Sequence, residues 1–183
     1  MKKFLILLIS LILTSNLFAL KIKGVNIPEE IEIKGTKCVL NGAGIRKKFF
    51  FSIYVGALYL PEKMHDPIKI ITLNKPKAVL MVFVYHKISP KKIINAWKEG
   101  FEKNYDTEKI KDKLQIFYSY FKNEVHKGDK FLFTYTPFEG TCTYINDKLA
   151  GCIKGKEFMN ALFSIWLGEK PASKSLKKKM LGE

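Results

Sequence analysis

Residues Asn41 to Pro61 read NGAGIRKKFFFSIYVGALYLP. The stretch opens on the turn-forming glycines Gly42 and Gly44, passes one arginine and two lysines, then runs through aromatic and branched residues almost to its end. From Phe49 to Leu60 the composition is that of a strand. One face carries Phe49, Phe51, Ile53, Val55, Ala57 and Tyr59, and the other carries Phe50, Ser52, Tyr54, Gly56, Leu58 and Leu60. Tyr54 stands between two small neighbours, which leaves room beside its ring. Either that room belongs to a ligand, or Tyr54 is a core tyrosine whose hydroxyl bonds backbone or water. Arg46 poses the same choice. No aspartate or glutamate lies between Val39 and Pro61, so the guanidinium either meets an anion at the edge of an apolar cleft or is solvated in a basic turn. On a straight strand Arg46 and Tyr54 would be roughly 26 Å apart. They can share a ligand only if the chain folds back, and Lys47 and Lys48 are the expected corner.

Outward from this stretch, strand character is expected over Ile31 to Leu40 and over Ala78 to Tyr85, where AVLMVFVY suits a strand covered on both faces. Ser89-Pro90 is a helix start, and Ile93, Trp97 and Phe101 follow at four-residue spacing. A second helix is expected from Asp106-Thr107, with Ile110, Leu114, Phe117 and Phe121 on one face, broken by HKGDK. KFLFTYTP returns to alternation, a third helix covers Lys156 to Leu167 and stops at Gly168, and a short one covers Ser173 to Met180. This order predicts an α+β fold, a large antiparallel sheet with helices layered on one side.

The 183 residues suffice for one domain. Residues 1–19 read as a signal peptide, with Met1-Lys2-Lys3 as the charged start, Phe4 to Leu13 as the apolar run and a close at Ala19; the domain is then 20–183. An uncleaved anchor is the alternative, although the run is short for a span of about 20 residues. The expected location is periplasmic or secreted. Formal net charge is +15, and +13 without Lys2 and Lys3. Such a balance favours acidic partners, including an anionic membrane surface; export disfavours nucleic acid. Cys142 and Cys152 flank TYINDKLAG, a hairpin around Asn146-Asp147-Lys148. A three-residue loop would set the two cysteines opposite each other, able to form a disulfide, whereas a two-residue loop would put them out of register. Two buried free thiols are the alternative, and Cys38 is left over.

Several chemistries are excluded by pattern. GAGIRK has Lys47 where a dinucleotide loop needs its third glycine, and strand sequence follows it. No GxxxxGK[ST], HExxH or GxSxG occurs. His65, His86 and His126 are isolated and expected at the surface. No catalytic residue, metal ligand or cofactor site is expected.

LNGAGIRKKFFFSIYVGALYLP, SPKKIINAWKEGF, the KGD step and FMNALFSIWLGEKPASKSLKKKMLG together resemble the bacterial exported branch of the chalcone isomerase-like family, from about Gly24 to Gly182. The resemblance implies an open-faced β-sandwich with a cleft between the large sheet and its helices. Members of that family are plant isomerases that close a flavanone ring or relatives that bind fatty acids without catalysis. By matching positions, the ligand-holding arginine and tyrosine of the fatty-acid binders are Arg46 and Tyr54, the latter a threonine in true isomerases. The isomerases' catalytic tyrosine and asparagine fall on Ile93 and Gly100, which offer no polar side chain. The resemblance therefore implies an exported, non-catalytic binder of a fatty acid or similar apolar carboxylate. The alternatives are a chalcone isomerase-type intramolecular lyase, or a basic module for a membrane surface or envelope partner.

Overall fold

The quoted stretch forms the second part of one long strand and the whole of the next. In the computed structural model, which describes residues 19–183, the expected leader lies outside the described residues apart from the backbone of Ala19. In chain order the elements are β1 (Ala19–Ile22), β2 (Val25–Pro28), β3 (Glu30–Ile33), β4 (Thr36–Lys48), β5 (Phe51–Leu60), α1 (Pro67–Thr72), β6 (Lys77–Phe83), β7 (Lys87–Ile88) and α2 (Pro90–Asn104). A 3-10 turn, Thr107–Ile110, leads into α3 (Lys111–Tyr118), followed by β8 (Val125–His126), β9 (Lys130–Thr136), β10 (Gly140–Ile145), β11 (Lys148–Ile153), α4 (Lys156–Leu167) and α5 (Lys174–Met180).

Seven strands form one antiparallel sheet in the order β11-β10-β9-β6-β5-β4-β3. Its helix face buries Tyr54, Leu58, Val79, Met81, Phe83, Phe131 and Phe133 against α2, α3, α4 and α5. Its reverse face buries Val55, Ala57, Tyr59, Ala78 and Val82 with Ile27 and Cys38, where the Tyr59 hydroxyl donates to the Pro28 carbonyl at 2.9 Å. β6 is thus covered on both faces, as its unbroken apolar run requires. Helix α4 is buried on nearly every side, and Trp97 of α2 meets Phe117, Phe121, Phe133 and Trp166 at centroid distances of 5.4–5.9 Å.

Four expectations change. Ile31 to Leu40 is not one strand but a hairpin turning at Lys34-Gly35, where both residues have positive φ. Gly42 and Gly44 do not form a turn; they lie inside β4. The corner of the β4–β5 hairpin is Phe49-Phe50, and Lys47 and Lys48 are still paired strand residues, opposite Ser52 and Phe51. The second helix does not run unbroken from Asp106 to Phe121: it starts as a 3-10 turn and stops at Tyr118, so Phe121 is buried from a turn.

At the far edge, the β10–β11 loop has only two residues, Asn146 and Asp147, both at positive φ, with Ile145 opposite Lys148. The register then shifts at Thr143/Tyr144, where one extra residue in β11 restores the opposition that so short a turn would have lost. Cys142 and Cys152 consequently stand opposite each other with Cα atoms 4.0 Å apart and their sulfurs bonded. Cys38 is free and buried.

Candidate functional site

Directly opposed residues on antiparallel strands share a face, so the β4–β5 pairs can be followed along the helix side of the sheet. Gly42 faces Leu58, Gly44 faces Gly56, and Arg46 faces Tyr54. Over the first two pairs lies α5. A Cβ on Gly42 would come 2.0 Å from the Lys179 carbonyl oxygen, and one on Gly44 would come 2.7 Å from the Lys179 Cβ. The glycines are there because another backbone approaches. The room beside Tyr54 on its Gly56 side is likewise filled, by Leu176 and Met180 of α5.

Beyond Tyr54 the helix layer parts. A cavity of about 460 Å³ lies between this end of the sheet and α2, bounded by Arg46, Tyr54, Met81, Phe83, Ile93, Trp97 and Ile165. Lys48, Lys87 and Lys92 stand on its rim with Phe49, Phe51, Asn95, Ala96 and Glu99. Strict alternation would turn Phe51 and Ile53 to the other face of β5. The register shift between Arg46 and Lys47 leaves Ile53 as the extra residue of a bulge, and both side chains line the cavity.

The hairpin brings Arg46 and Tyr54 together, the guanidinium carbon 5.8 Å from the centroid of the tyrosine ring. Tyr54 is 5% exposed. Its hydroxyl accepts a hydrogen bond from Trp166 Nε1 at 2.9 Å, and among the described residues nothing accepts its proton. Burial raises its pKa, against the opposing pull of Arg46 and of the Trp166 bond. Arg46 is half-buried, and among the described residues it has no carboxylate partner. The acid on this rim, Glu99, is held by Lys103 at 2.6 Å. That bond comes first in holding its carboxyl below the usual range, with lesser pulls from Lys48 and Arg46. Trp97 is also buried, and its indole N–H meets no acceptor among the described residues.

Ile93 lines the cavity, whereas Gly100 faces Ile165, which would touch any Cβ there at 3.0 Å. Sequence reasoning passed over Asn95, the amide on the rim; its i+2 offset from Ile93 put it off the apolar stripe of α2. Among the described residues no cluster of His, Cys, Asp and Glu could hold a metal, and the three histidines are exposed.

The model of the chalcone isomerase-like family matches residues 19–182. No curated protein matches the sequence. Among solved structures, the chain is similar to a fatty-acid-binding protein of Arabidopsis thaliana, with a TM-score of 0.71 and 17% identity over 86% of this chain and 92% of that one. At that identity the likeness is one of fold.

Proposed function

The chain belongs to the chalcone isomerase-like family, and we propose that it is a non-catalytic binding protein for a fatty acid or similar apolar carboxylate. The observation that carries this reading is the Arg46–Tyr54 pair: a half-buried guanidinium with no ion-paired acid among the described residues, beside a buried hydroxyl that already accepts one hydrogen bond and still has a proton to give. A carboxylate meets both needs, accepting from the guanidinium and from the phenol together. The cavity behind the pair is apolar, through Met81, Phe83, Ile93 and Ile165, and its volume falls in the usual range for small-molecule sites. An acyl chain would gain about 0.8 kcal/mol for each methylene buried there. The similar plant structure is that of a fatty-acid-binding protein, which supports the same ligand class. Ile93 and Gly100, where the isomerases have their polar pair, leave ring closure without those hydrogen-bonding groups. The Cys142–Cys152 bond supports export to an oxidising compartment.

The test is titration with a fluorescent long-chain fatty acid and with its methyl ester. The acid is expected to bind at micromolar levels or tighter and the ester far more weakly. Charged hydrogen bonds contribute about 1.5–3 kcal/mol, so Arg46→Ala should cost ~10-fold to 100-fold and Tyr54→Phe less. Equal affinity for acid and ester, or an Arg46→Ala variant that binds like the parent, would overturn the reading. Turnover of a chalcone that depends on Arg46 would replace it with the lyase.

A further inference from the structure

The corner of the β4–β5 hairpin is built against the habits of a turn in water. Phe49, Phe50 and Phe51 are 84%, 98% and 57% exposed. Phe49 also has φ +53, a left-handed backbone that glycine or asparagine would take with less steric cost. A bulky apolar side chain is therefore kept where neither solvation nor backbone geometry favours it. Single exposed apolar residues are ordinary, but three consecutive rings on one protruding tip are not. Lys47 and Lys48 flank the rings, Lys92 stands on the same rim, and none of the three makes an ion pair among the described residues. The acids nearby are engaged: Glu99 by Lys103 at 2.6 Å and Glu124 by Lys87 at 2.8 Å.

We propose that this aromatic tip docks the protein on an anionic lipid bilayer, the rings entering the headgroup boundary and the lysines meeting the lipid charge. Three rings present roughly 500 Å² of apolar surface. That is less than the about 800 Å² per partner that a stable protein interface buries, but it suits shallow insertion of aromatic side chains backed by cations. The tip also fixes an orientation. Phe49 and Phe51 line the mouth of the cavity, so a docked tip turns that mouth toward the lipid, and an acyl chain could pass between bilayer and cavity without crossing open water. This last step rests on the binding function proposed above; the docking itself does not.

The test uses the purified protein with fatty-acid-free vesicles of phosphatidylcholine alone or mixed with phosphatidylglycerol. Sedimentation is expected with the mixed vesicles and not with the neutral ones, fading as salt rises. Phe50→Ser and Lys47→Glu each alter a side chain outside the cavity lining. Each should lower vesicle binding at least fivefold, the pair together more, with melting temperature and fatty-acid affinity unchanged. A Phe50→Trp reporter should shift its emission to the blue on the mixed vesicles. Absence of sedimentation by the parent, or undiminished sedimentation by the Phe50→Ser/Lys47→Glu double variant, would overturn the proposal. So would a parent that self-associates through the tip in ultracentrifugation while ignoring vesicles. Because fatty-acid affinity is read separately, an empty cavity with intact docking would sink only the function proposed above.

Discussion

The two ends of the β4–β5 hairpin treat the space over their helix face in opposite ways. At the Gly42–Gly44 end the chain fills the space itself: α5 lies on the strands so closely that a Cβ on Gly42 would sit 2.0 Å from a backbone oxygen. At the Arg46–Tyr54 end the helices stand off and a cavity remains. Two cations, buried Lys77 and half-buried Arg46, divide the same way. Lys77 is fully buried, yet its ammonium donates to the Ile70 and Ile71 carbonyls at 2.6 and 2.8 Å and lies 4.6 Å from the centroid of the Phe163 ring. It caps α1 from within. Among the described residues the Arg46 side chain makes no hydrogen bond or ion pair and lies against the face of Tyr54. Small residues or buried charge alone do not mark a site; the mark is that the rest of the chain leaves them unmatched.

The sharpest way to break this comparison is to put volume where the chain has already used the space. Gly42→Val should destabilise by about 3 kcal/mol, at the upper end of overpacking costs. Neither the Lys179 carbonyl nor the strand can move aside without lifting α5 off β4. Urea denaturation measures the loss, and hydrogen exchange should show α5 amides opening first. A Gly42→Val protein as stable as the parent would mean that the helix is not seated as described.

How much of this was legible in sequence follows from the same geometry. The alternation of Tyr54, Leu58 and Leu60, the apolar run of β6 and the boundaries of α4 depend on local pattern and could be read directly. The glycines of β4 could not be, because their reason is a helix more than 130 residues further on; in isolation they looked like a turn. The bulges at Ile53 and near Leu149 were also hidden. An extra residue in a strand changes which face a side chain takes, and nothing in composition announces it. Arg46 and Tyr54 could be named from pattern and resemblance, but their meeting depended on a corner at Phe49-Phe50, one step beyond the lysines where charge suggested it. The Trp166 donor to Tyr54 had no local signal at all.

A second test concerns the matched cation. Burial pushes the Lys77 pKa down to about 7 from its usual 10.5. Between those values the unfolded chain holds a proton that the folded chain has released, so stability rises with pH across this window. Relative to a Lys77→Met variant, which lacks the group, the parent should gain about 2 kcal/mol between pH 7 and pH 9. Denaturant titrations at several pH values would show it. Parallel pH profiles for the two proteins would mean that the carbonyls and the Phe163 ring hold the ammonium charged throughout, making Lys77 better matched than its burial indicates.

The smallest expected effect on stability is the most informative about the open end. Ala96 is exposed on α2 and lines the rim of the cavity, so Ala96→Trp adds an indole where the chain has left space and displaces no packed neighbour. Surface substitutions of this kind usually stay within about 0.5 kcal/mol, and the melting curve should barely move. Binding should respond differently, because a ring lying across the mouth competes with the chain of any ligand whose head is at Arg46. Affinity for a long-chain acid should fall at least tenfold, while a short acid such as butyrate, which needs only the Arg46–Tyr54 end, should lose less. If Ala96→Trp were as costly to stability as Gly42→Val, the cavity would be packed space after all and the two ends of the hairpin would not differ. If it left both acids unaffected, the ligand would be held elsewhere.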